Sequence, residues 1–310
     1  MKKKLISLIT PCFNEFDNID ELCGRIRKVM ESLPYDYEHI FIDNNSNDGT
    51  IEKIRKIISK DKKIKMIVNS RNYGHLTSPY YGIMQTTGNA TICLASDLQD
   101  PPELIIKFLT AWEKGNDLVL AIKVNEKLTI MSILRKNYYR LLSKISSNEI
   151  YKDATGFGLY DKSIVKKLIQ SGESYPYLRG HLVSLASKIY KVEYSPEERK
   201  SGKSKNTIFS LYDLGIHGLI TNSIYPIRIA SYFGIIVGLI SIGLSVGILV
   251  TKLLFWDLIP LGYSPLGIII FAMFGLMFIF VGLIGEYLGL IHKEMSNKPI
   301  VIERERVNFD

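Results

Sequence analysis

The sequence contains little cysteine. Its three cysteines, Cys12, Cys23 and Cys93, form no CxxC pair and leave one odd thiol. Disulfide frameworks and zinc sites need paired cysteines, so this pattern argues against both. It fits a protein of a reducing compartment.

Glycine loops that bind phosphate are also absent. A GxGxxG motif fails because Asp161 stands where the third glycine would follow Gly156 and Gly158. A Walker A motif fails because Glu197 replaces the leading glycine before the GKS at residues 202–204. Any bound diphosphate must therefore be neutralised by a metal ion and by basic side chains.

Charge is scarce in two segments. Residues 229–255 and 265–291 carry one charged residue each, Lys252 and Glu286. Since about 20 apolar residues cross a bilayer, we predict two transmembrane helices. The six basic and six acidic residues after position 226 cancel, so the net charge of +8 lies on residues 1–226. These residues are numerous enough to bury a core of their own.

The connection between the two predicted spans contains no Lys or Arg. Basic residues set orientation, because they stay on the cytoplasmic side. We therefore expect a multi-pass protein of the cell membrane with both termini and the large domain in the cytoplasm. The apolar start of the chain stops at Pro11, too early for a signal peptide, and predicts a first strand. The basic residues that flank the spans are Arg228, Lys293, Lys298, Arg304 and Arg306.

Five short apolar runs, rich in β-branched residues, alternate with helical patterns in the first 125 residues. They cover residues 5–10, 38–43, 64–69, 90–95 and 117–122. Such alternation predicts an α/β fold with a mostly parallel, doubly wound sheet. Helix start signals lie at residues 17–18, 48 and 101–102.

Polar segments follow the first four strands: PCFNE, DNNSNDGT, SRNYGH and SDLQDPPE. Each alone reads equally well as a turn. In open α/β sheets, however, ligands bind outside the carboxyl ends of the strands, so four polar tips at one edge favour a site. Asp97 and Gln99 carry hard oxygen ligands and are two residues apart. On an extended segment their side chains would point the same way, so we expect them to form a metal site.

Residues 127–147 place apolar side chains on one helical face and basic ones largely elsewhere. This pattern suits an anionic membrane surface, although a solvated surface helix with a core-facing stripe has the same pattern. Three GxxxG spacings in the apolar segments allow close packing between the spans or between protomers of a homo-oligomer. They begin at Gly234, Gly243 and Gly285.

Together with YLRG, RKSGKSK and LIGEYLGLIHKE, the polar segments resemble the polyprenyl-phosphate glycosyltransferases of glycosyltransferase family two. This group includes dolichol-phosphate mannose synthase and the bactoprenol glucosyltransferases. The resemblance covers nearly the whole chain. It implies a cytoplasmic GT-A domain at residues 1–205, a juxtamembrane interfacial segment at 206–228, a two-helix anchor at 229–291 and a cytoplasmic tail at 292–310.

The resemblance also implies the reaction. A sugar is transferred with inversion from a nucleotide diphosphate to undecaprenyl or another polyprenyl phosphate, with Mg²⁺ or Mn²⁺ as cofactor. The bactoprenol enzymes suggest UDP-glucose as donor, while galactose, N-acetylglucosamine and mannose stay open. The expected partners are the donor, the lipid phosphate and the bilayer, and no nucleic acid.

Residue roles follow from the same motifs. The resemblance implies that Pro11, Asn14, Glu15 and Asp97 bind the nucleotide sugar and that Asp43 contacts its base or ribose. Asp97 and Gln99 are the implied metal ligands. The catalytic set comprises Asp97, Arg179, Arg199 and Lys205, and Ser204 joins the basic residues on the phosphates of the donor.

Two positions depart from the family pattern. Ala95 replaces the first acid of the usual DAD motif, which leaves one carboxylate fewer at the metal, and Asp100 or water are candidate substitutes. Gly156 and Gly158 replace the acid and the arginine of a GDFR-like segment. A phosphate monoester has its second pKa near 6, so the acceptor is already an oxyanion at neutral pH and needs no protein base.

Two other functions stay open. A processive polysaccharide synthase of the same fold would carry a QxxRW segment, but neither Trp112 nor Trp256 follows an arginine. A membrane scaffold that has lost activity is the second alternative, and Ala95 and Gly156 are its only hints.

Overall fold

In a computed structural model, the chain forms two compact units, Met1–Gly218 with Asn297–Asp310 and Leu219–Ser296. The structure describes residues 3–124, 154–172, 178–197 and 299–309, together with single helical positions between 232 and 291.

The first unit has a sheet of eight described strands. Their order is β7-β5-β6-β4-β1-β2-β3-β8. The strands are β1 (Leu5–Cys12), β2 (Asp36–Asp43), β3 (Ile64–Asn69), β4 (Ala90–Cys93), β5 (Leu118–Lys123), β6 (Ala154–Asp161), β7 (Ile189–Tyr194) and β8 (Glu303–Val307). The helices are α1 (Ile19–Glu31), α2 (Thr50–Ile58), α3 (Gly74–Met84), α4 (Ile105–Glu113), α5 (Lys162–Ser171) and α6 (Leu178–Leu185), with a 3₁₀ turn at Pro102–Leu104 before α4.

Apolar side chains cover both faces of the sheet. One core packs α1, α2 and α4 against it, and contains Ile26, Ile54 and Phe108. The opposite core packs α3, α5 and α6, and contains Tyr80 and Leu168. Burial on both faces explains why the central strands are almost continuously apolar.

The predicted α/β fold with a mostly parallel sheet is confirmed. Strands β1 to β4 pair in parallel in the order β4-β1-β2-β3, and β5 pairs in parallel with β7. Strand β6 is the exception in this region, because it runs antiparallel between β4 and β5. Parallel pairing brings the carboxyl ends of β1, β2 and β4 to one edge.

The C-terminal residues join the sheet. Strand β8 pairs antiparallel with β3, Met66 lying opposite Val307. The resemblance implied a separate cytoplasmic tail at residues 292–310, and the charged ERER run at 303–306 has no apolar alternation. It forms an edge strand instead, where charged side chains are tolerated because they reach solvent.

Several sequence predictions lie outside the described residues. These are the basic helix at 127–147, the juxtamembrane segment at 206–228 and, except for single positions, the two spans at 229–255 and 265–291. Among the residues that are described, no helix combines the length and apolarity that a bilayer crossing requires.

Candidate active site

The loops after β1 and β2 are joined by hydrogen bonds. The backbone N–H of Asn14 donates to Oγ of Ser46 (2.9 Å), and that of Asn47 donates to Oδ1 of Asn14 (2.9 Å). Asn14 and Asn45 both adopt positive φ values, +56° and +65°, which asparagine tolerates better than most residues. The two predicted polar tips therefore form one structure at the edge of the sheet.

Glu15 and Phe16 extend this connection to α2. The Glu15 N–H donates to Oγ1 of Thr50 (3.0 Å) and the Phe16 N–H donates to Oδ2 of Asp48 (3.2 Å). Asp48 also accepts the N–H of Thr50 (3.0 Å), which satisfies a free donor at the start of the helix. The Glu15 carboxylate accepts a hydrogen bond from Asn18 (2.7 Å).

Asp43 lies beneath this loop and is completely buried. Its carboxylate accepts the backbone N–H and the hydroxyl of Ser46, at 2.8 and 2.6 Å. Burial raises the pKa of Asp43, and the Ser46 hydrogen bonds act in the opposite direction. Its carboxylate therefore holds the shape of this loop, and the expected contact of Asp43 with the base or ribose stays a prediction.

Pro11 connects the nucleotide loops to the segment after β4. Its carbonyl accepts a hydrogen bond from Oγ of Ser96 (3.2 Å), the residue before Asp97. Pro11 at the end of β1 thus lies at the same edge of the sheet as the adjacent loops that carry Asn14, Glu15 and Asp97.

Asp97 and Gln99 lie in a turn. The expectation of an extended segment is wrong, because Leu98 between them has a φ of +59° and Oδ1 of Asp97 accepts the N–H of Gln99 (3.3 Å). Leu98 is 1% exposed, so packing holds it in a conformation that costs a bulky residue about 1–3 kcal/mol. Backbone strain of this kind concentrates at functional sites.

Asp100, a candidate substitute for the acid missing at Ala95, already has partners within the protein. It is buried, accepts a hydrogen bond from the hydroxyl of Tyr194, and lies 3.6 Å from Nζ of Lys123. Burial raises its pKa against the opposing effect of Lys123. Its carboxylate therefore serves to attach β5 and β7 to the loop after β4.

The two glycines of β6 differ in the space around them. A Cβ on Gly158 would lie 2.4 Å from the carbonyl oxygen of Val119, whereas nothing lies within 4 Å of a Cβ on Gly156. The Gly156 carbonyl accepts a hydrogen bond from the hydroxyl of Tyr160 (2.6 Å). Close strand packing thus requires glycine at 158, and position 156 could hold a larger side chain.

The segment before the predicted basic loop is attached to the Asp97–Gln99 turn. The Glu197 N–H donates to the carbonyl of Gln99 (3.0 Å). Arg25 of α1 donates to the carboxylates of both Glu197 and Glu103, each with a shortest distance of 2.6 Å. Glu197 therefore lies next to the turn that carries the predicted metal ligands.

The remaining predicted site residues lack a described side chain. Arg179 belongs to α6, but only its backbone is described. Arg199, Ser204 and Lys205 lie outside the described residues.

Sequence reasoning missed four contributors to the site. Ser46 and Thr50 stand in the polar run after β2, which was recognised as a whole without roles for single residues. Arg25 and Glu197 lie far apart in the sequence, and no local pattern signals their contact.

The oxygen ligands available at the turn suit a hard divalent cation. Asp97 and Gln99 supply a carboxylate and an amide oxygen, both of which suit Mg²⁺ or Mn²⁺. No group of three His, Cys, Asp or Glu residues that could hold a metal ion occurs in the part of the chain that the structure describes. Such a cation would take its other ligands from phosphate oxygens and water, as Mg²⁺ commonly does at phosphate sites.

Comparison with known proteins identifies the family. The model of "Glycosyl transferase family 2" matches residues 7–169, which run from the third residue of β1 to the eighth residue of α5. An uncharacterized glycosyltransferase of Bacillus subtilis, YkcC, is 32% identical over 98% of this chain and 94% of its own length. A bactoprenol glucosyl transferase of Shigella phage SfX is 30% identical over 97% of this chain and 99% of its own.

Solved structures match less closely. Mannosyl-3-phosphoglycerate synthase from Rubrobacter xylanophilus shares 14% identity over 69% of this chain and 71% of its own, with a TM-score of 0.47.

Proposed function

The chain belongs to glycosyl transferase family 2 and is a glycosyltransferase with a GT-A fold, and from this premise we propose that it transfers a hexose to polyprenyl phosphate. The donor is a nucleotide-diphosphate sugar, with UDP-glucose as the first candidate. The observation that carries the proposal is the likeness to a bactoprenol glucosyl transferase over 97% of the chain, well beyond the catalytic domain.

The donor would bind across the loops after β1, β2 and β4. Asn14 and Glu15 stand at its nucleoside end, and Asp97 and Gln99 at its diphosphate end, where they would hold Mg²⁺ or Mn²⁺. Bound there, the cation would neutralise the negative charge of the diphosphate. Arg179, Arg199, Ser204 and Lys205 stay our proposed contacts to the same phosphates.

The acceptor needs no protein base. Near neutral pH its phosphate is largely dianionic, so an oxygen can attack C1 of the sugar as the bond from C1 to the donor diphosphate breaks. Attack from the face opposite the leaving group inverts the configuration at C1. Position 156 offers no carboxylate, in agreement with this mechanism.

We also propose that residues 229–291 cross the cell membrane twice. The apolar side chains that are described there are mostly exposed, from 41% for Met273 to 69% for Leu254, as expected for side chains that face lipid. The chain leaves the first unit after Gly218 and returns at Asn297, and β8 then pairs with β3. Both ends of the intervening segment therefore belong to one domain, which requires an even number of crossings.

The positive-inside rule places that domain and both termini in the cytoplasm. Homo-oligomer formation through the GxxxG spacings is part of the same proposal. A polysaccharide synthase would instead form a polymer, and an inactive scaffold would form no product.

The test uses the full-length protein in detergent. Labelled UDP-glucose, UDP-galactose, UDP-N-acetylglucosamine and GDP-mannose are each incubated with a short polyprenyl phosphate and Mn²⁺. One donor should yield a lipid-extractable product of a single hexose unit, and a reaction without acceptor serves as the control. Label in a polymer would favour a synthase, and no label with any donor would favour a scaffold.

A further inference from the structure

Arg304 occupies a β-bulge in the edge strand β8. Glu305 lies opposite Val68 and Glu303 lies opposite Asn69, so Arg304 is an extra residue between two consecutive pairs. A bulge breaks the regular alternation of side chains and redirects the extra one. Bulges are common beside active sites for this reason.

The neighbours of Arg304 on β8 point to the two faces of the sheet. Glu305 pairs with Arg55 of α2 on one face. On the other, Glu303 accepts a hydrogen bond from Tyr81 of α3 (2.7 Å), and Arg306 donates to Gln85 at the end of α3 (2.8 Å).

Arg304 points instead to the loop after β2. Its Nη1 donates to Oδ1 of Asn45 (2.7 Å), a residue between Asp43 and Ser46. A residue from the far end of the chain thus reaches the predicted nucleotide loop.

Among the described residues, no carboxylate forms an ion pair with Arg304. The other charged residues of β8 are all in ion pairs: Glu303 with Arg306, and Glu305 with Arg55. Within residues 3–124, 154–172, 178–197 and 299–309, the structure records no ion pair for Arg304. The side chain is exposed, and a guanidinium has five N–H donors, of which Asn45 takes one.

The backbone before the bulge is fixed to the loop after β3. The Ser70 N–H donates to the carbonyl of Ile302 (2.8 Å), and the Ile302 N–H donates to the hydroxyl of Tyr73 (3.1 Å). Arg304 is therefore held between two of the four polar tips, two residues after this anchor.

We propose that Arg304 contacts the nucleobase of the donor and donates a hydrogen bond to one of its carbonyl oxygens. This inference rests on the proposed function, which puts the diphosphate at Asp97 and Gln99 after β4. Asn45 follows β2, two strands from β4, so roughly 10 Å of sheet separates the two points at the usual strand spacing. Arg304 consequently stands at the nucleoside end of the donor, away from the diphosphate.

The chemistry of the guanidinium limits the choice of base. Uracil, thymine, cytosine and guanine present carbonyl oxygens that accept its N–H donors, whereas adenine presents none. Arg304 therefore favours a uridine, thymidine, cytidine or guanosine diphosphate over adenosine diphosphate. Arg304 thus adds a contact to the base beside the one expected from Asp43, whose carboxylate lies buried under the loop.

The test measures equilibrium binding to the full-length protein in detergent with Mn²⁺. UDP, GDP and dTDP are titrated, and the one that binds the wild-type protein most tightly is used with Arg304→Ala. Its Kd should rise about tenfold, the size expected for one hydrogen bond to a charged group. Inhibition of this binding by inorganic pyrophosphate, which carries no base, should stay unchanged.

Arg306→Ala is the matched control, because it removes the same group from the same strand on the α3 face. Its Kd should stay within twofold of the wild type, and thermal unfolding shows whether both variants keep β8 in place. If Arg304→Ala unfolds early, Arg304→Gln gives the same test with a longer side chain.

Three results would overturn the inference: an unchanged Kd for the Arg304 variant, an equal rise for the Arg306 variant, or an equal weakening of pyrophosphate. If the wild-type protein binds none of the three nucleotides, the proposed function itself fails.

Discussion

Asp43 and Ser46 are joined by two hydrogen bonds, since the hydroxyl and the backbone N–H of Ser46 reach different carboxylate oxygens at 2.6 and 2.8 Å. The same hydroxyl accepts the N–H of Asn14 (2.9 Å). One serine therefore connects the end of β2 with the loop after β1 and fixes the edge where we place the nucleoside.

Replacing Ser46 with Ala should loosen this edge. The buried Asp43 carboxylate and the Asn14 N–H each lose a partner, so the free energy of unfolding should fall by about 1–3 kcal/mol. Nucleotide binding should weaken as well. Denaturant unfolding and UDP titration measure the two effects.

Ser59→Ala is the control for Ser46→Ala, because its hydroxyl bonds an exposed carbonyl of Lys56 at the end of α2. It should change the stability by less than about 0.5 kcal/mol. Equal effects of the two substitutions would mean that Ser46 has no special structural role.

His39 should make the stability depend on pH. It is 1% exposed and bonds Oγ1 of Thr10, and burial lowers its pKa to about 3. In the unfolded chain its pKa is about 6.5, so between these values only the unfolded state binds the proton. The contribution of His39 is complete above about pH 6.5 and is lost as the pH falls towards 3.

The measurement compares the wild-type protein with His39→Gln at pH 7 and pH 5. From pH 7 to pH 5 the free energy of unfolding of the wild-type protein should fall by about 2 kcal/mol more than that of the variant. All other titrating groups are the same in both proteins, so the difference belongs to His39. The same loss in both proteins would show that His39 is not the group responsible.

Gly158 and Gly156 should respond in opposite ways to alanine. At position 158 the new Cβ would collide with the Val119 carbonyl in the neighbouring strand, so Gly158→Ala should destabilise the protein by about 1–3 kcal/mol. Gly156→Ala meets open space and should leave the midpoint of thermal unfolding nearly unchanged. A reversed order would mean that β5 and β6 pack differently.

Gly156→Asp tests whether a general base is missing. If the acceptor phosphate attacks as a preformed oxyanion, the transfer rate of both the wild type and the variant should rise with pH around pH 6, where the phosphate ionises. The added carboxylate should then increase the rate very little. Initial rates between pH 5 and 8 provide the comparison. A large rate increase in the variant would instead indicate that a base had been lost.

Five of the eight described strands, β1 to β5, could be predicted because burial on both faces leaves a direct signal. All five apolar runs form strands β1 to β5, and α1 begins at Ile19, directly after the predicted start signal at residues 17–18. Strand β6 carries two glycines, and β8 is a charged edge strand that pairs with β3 across more than 200 residues. Neither has the local pattern of a buried strand, so both needed the tertiary structure.

The site was predictable in composition but not in geometry. The four polar tips were recognised because they follow strands. The turn at Leu98, the burial of Asp43 and the pairing of Asp100 with Lys123 and Tyr194 depend on contacts between distant segments, which no local spacing encodes.

The most direct test of the account is Asp97-dependent transfer of one hexose to polyprenyl phosphate. Labelled UDP-glucose, a short polyprenyl phosphate and Mn²⁺ are added to the full-length wild-type protein, to Asp97→Ala and to Asp17→Ala. Asp17→Ala is the control, because it removes an exposed carboxylate. The lipid extract is analysed by mass spectrometry. We predict polyprenyl-phosphate hexose from the wild type and Asp17→Ala, a loss of about 100-fold or more with Asp97→Ala, and none in excess chelator. Equal product from Asp97→Ala, or unchanged transfer in chelator, would contradict the account.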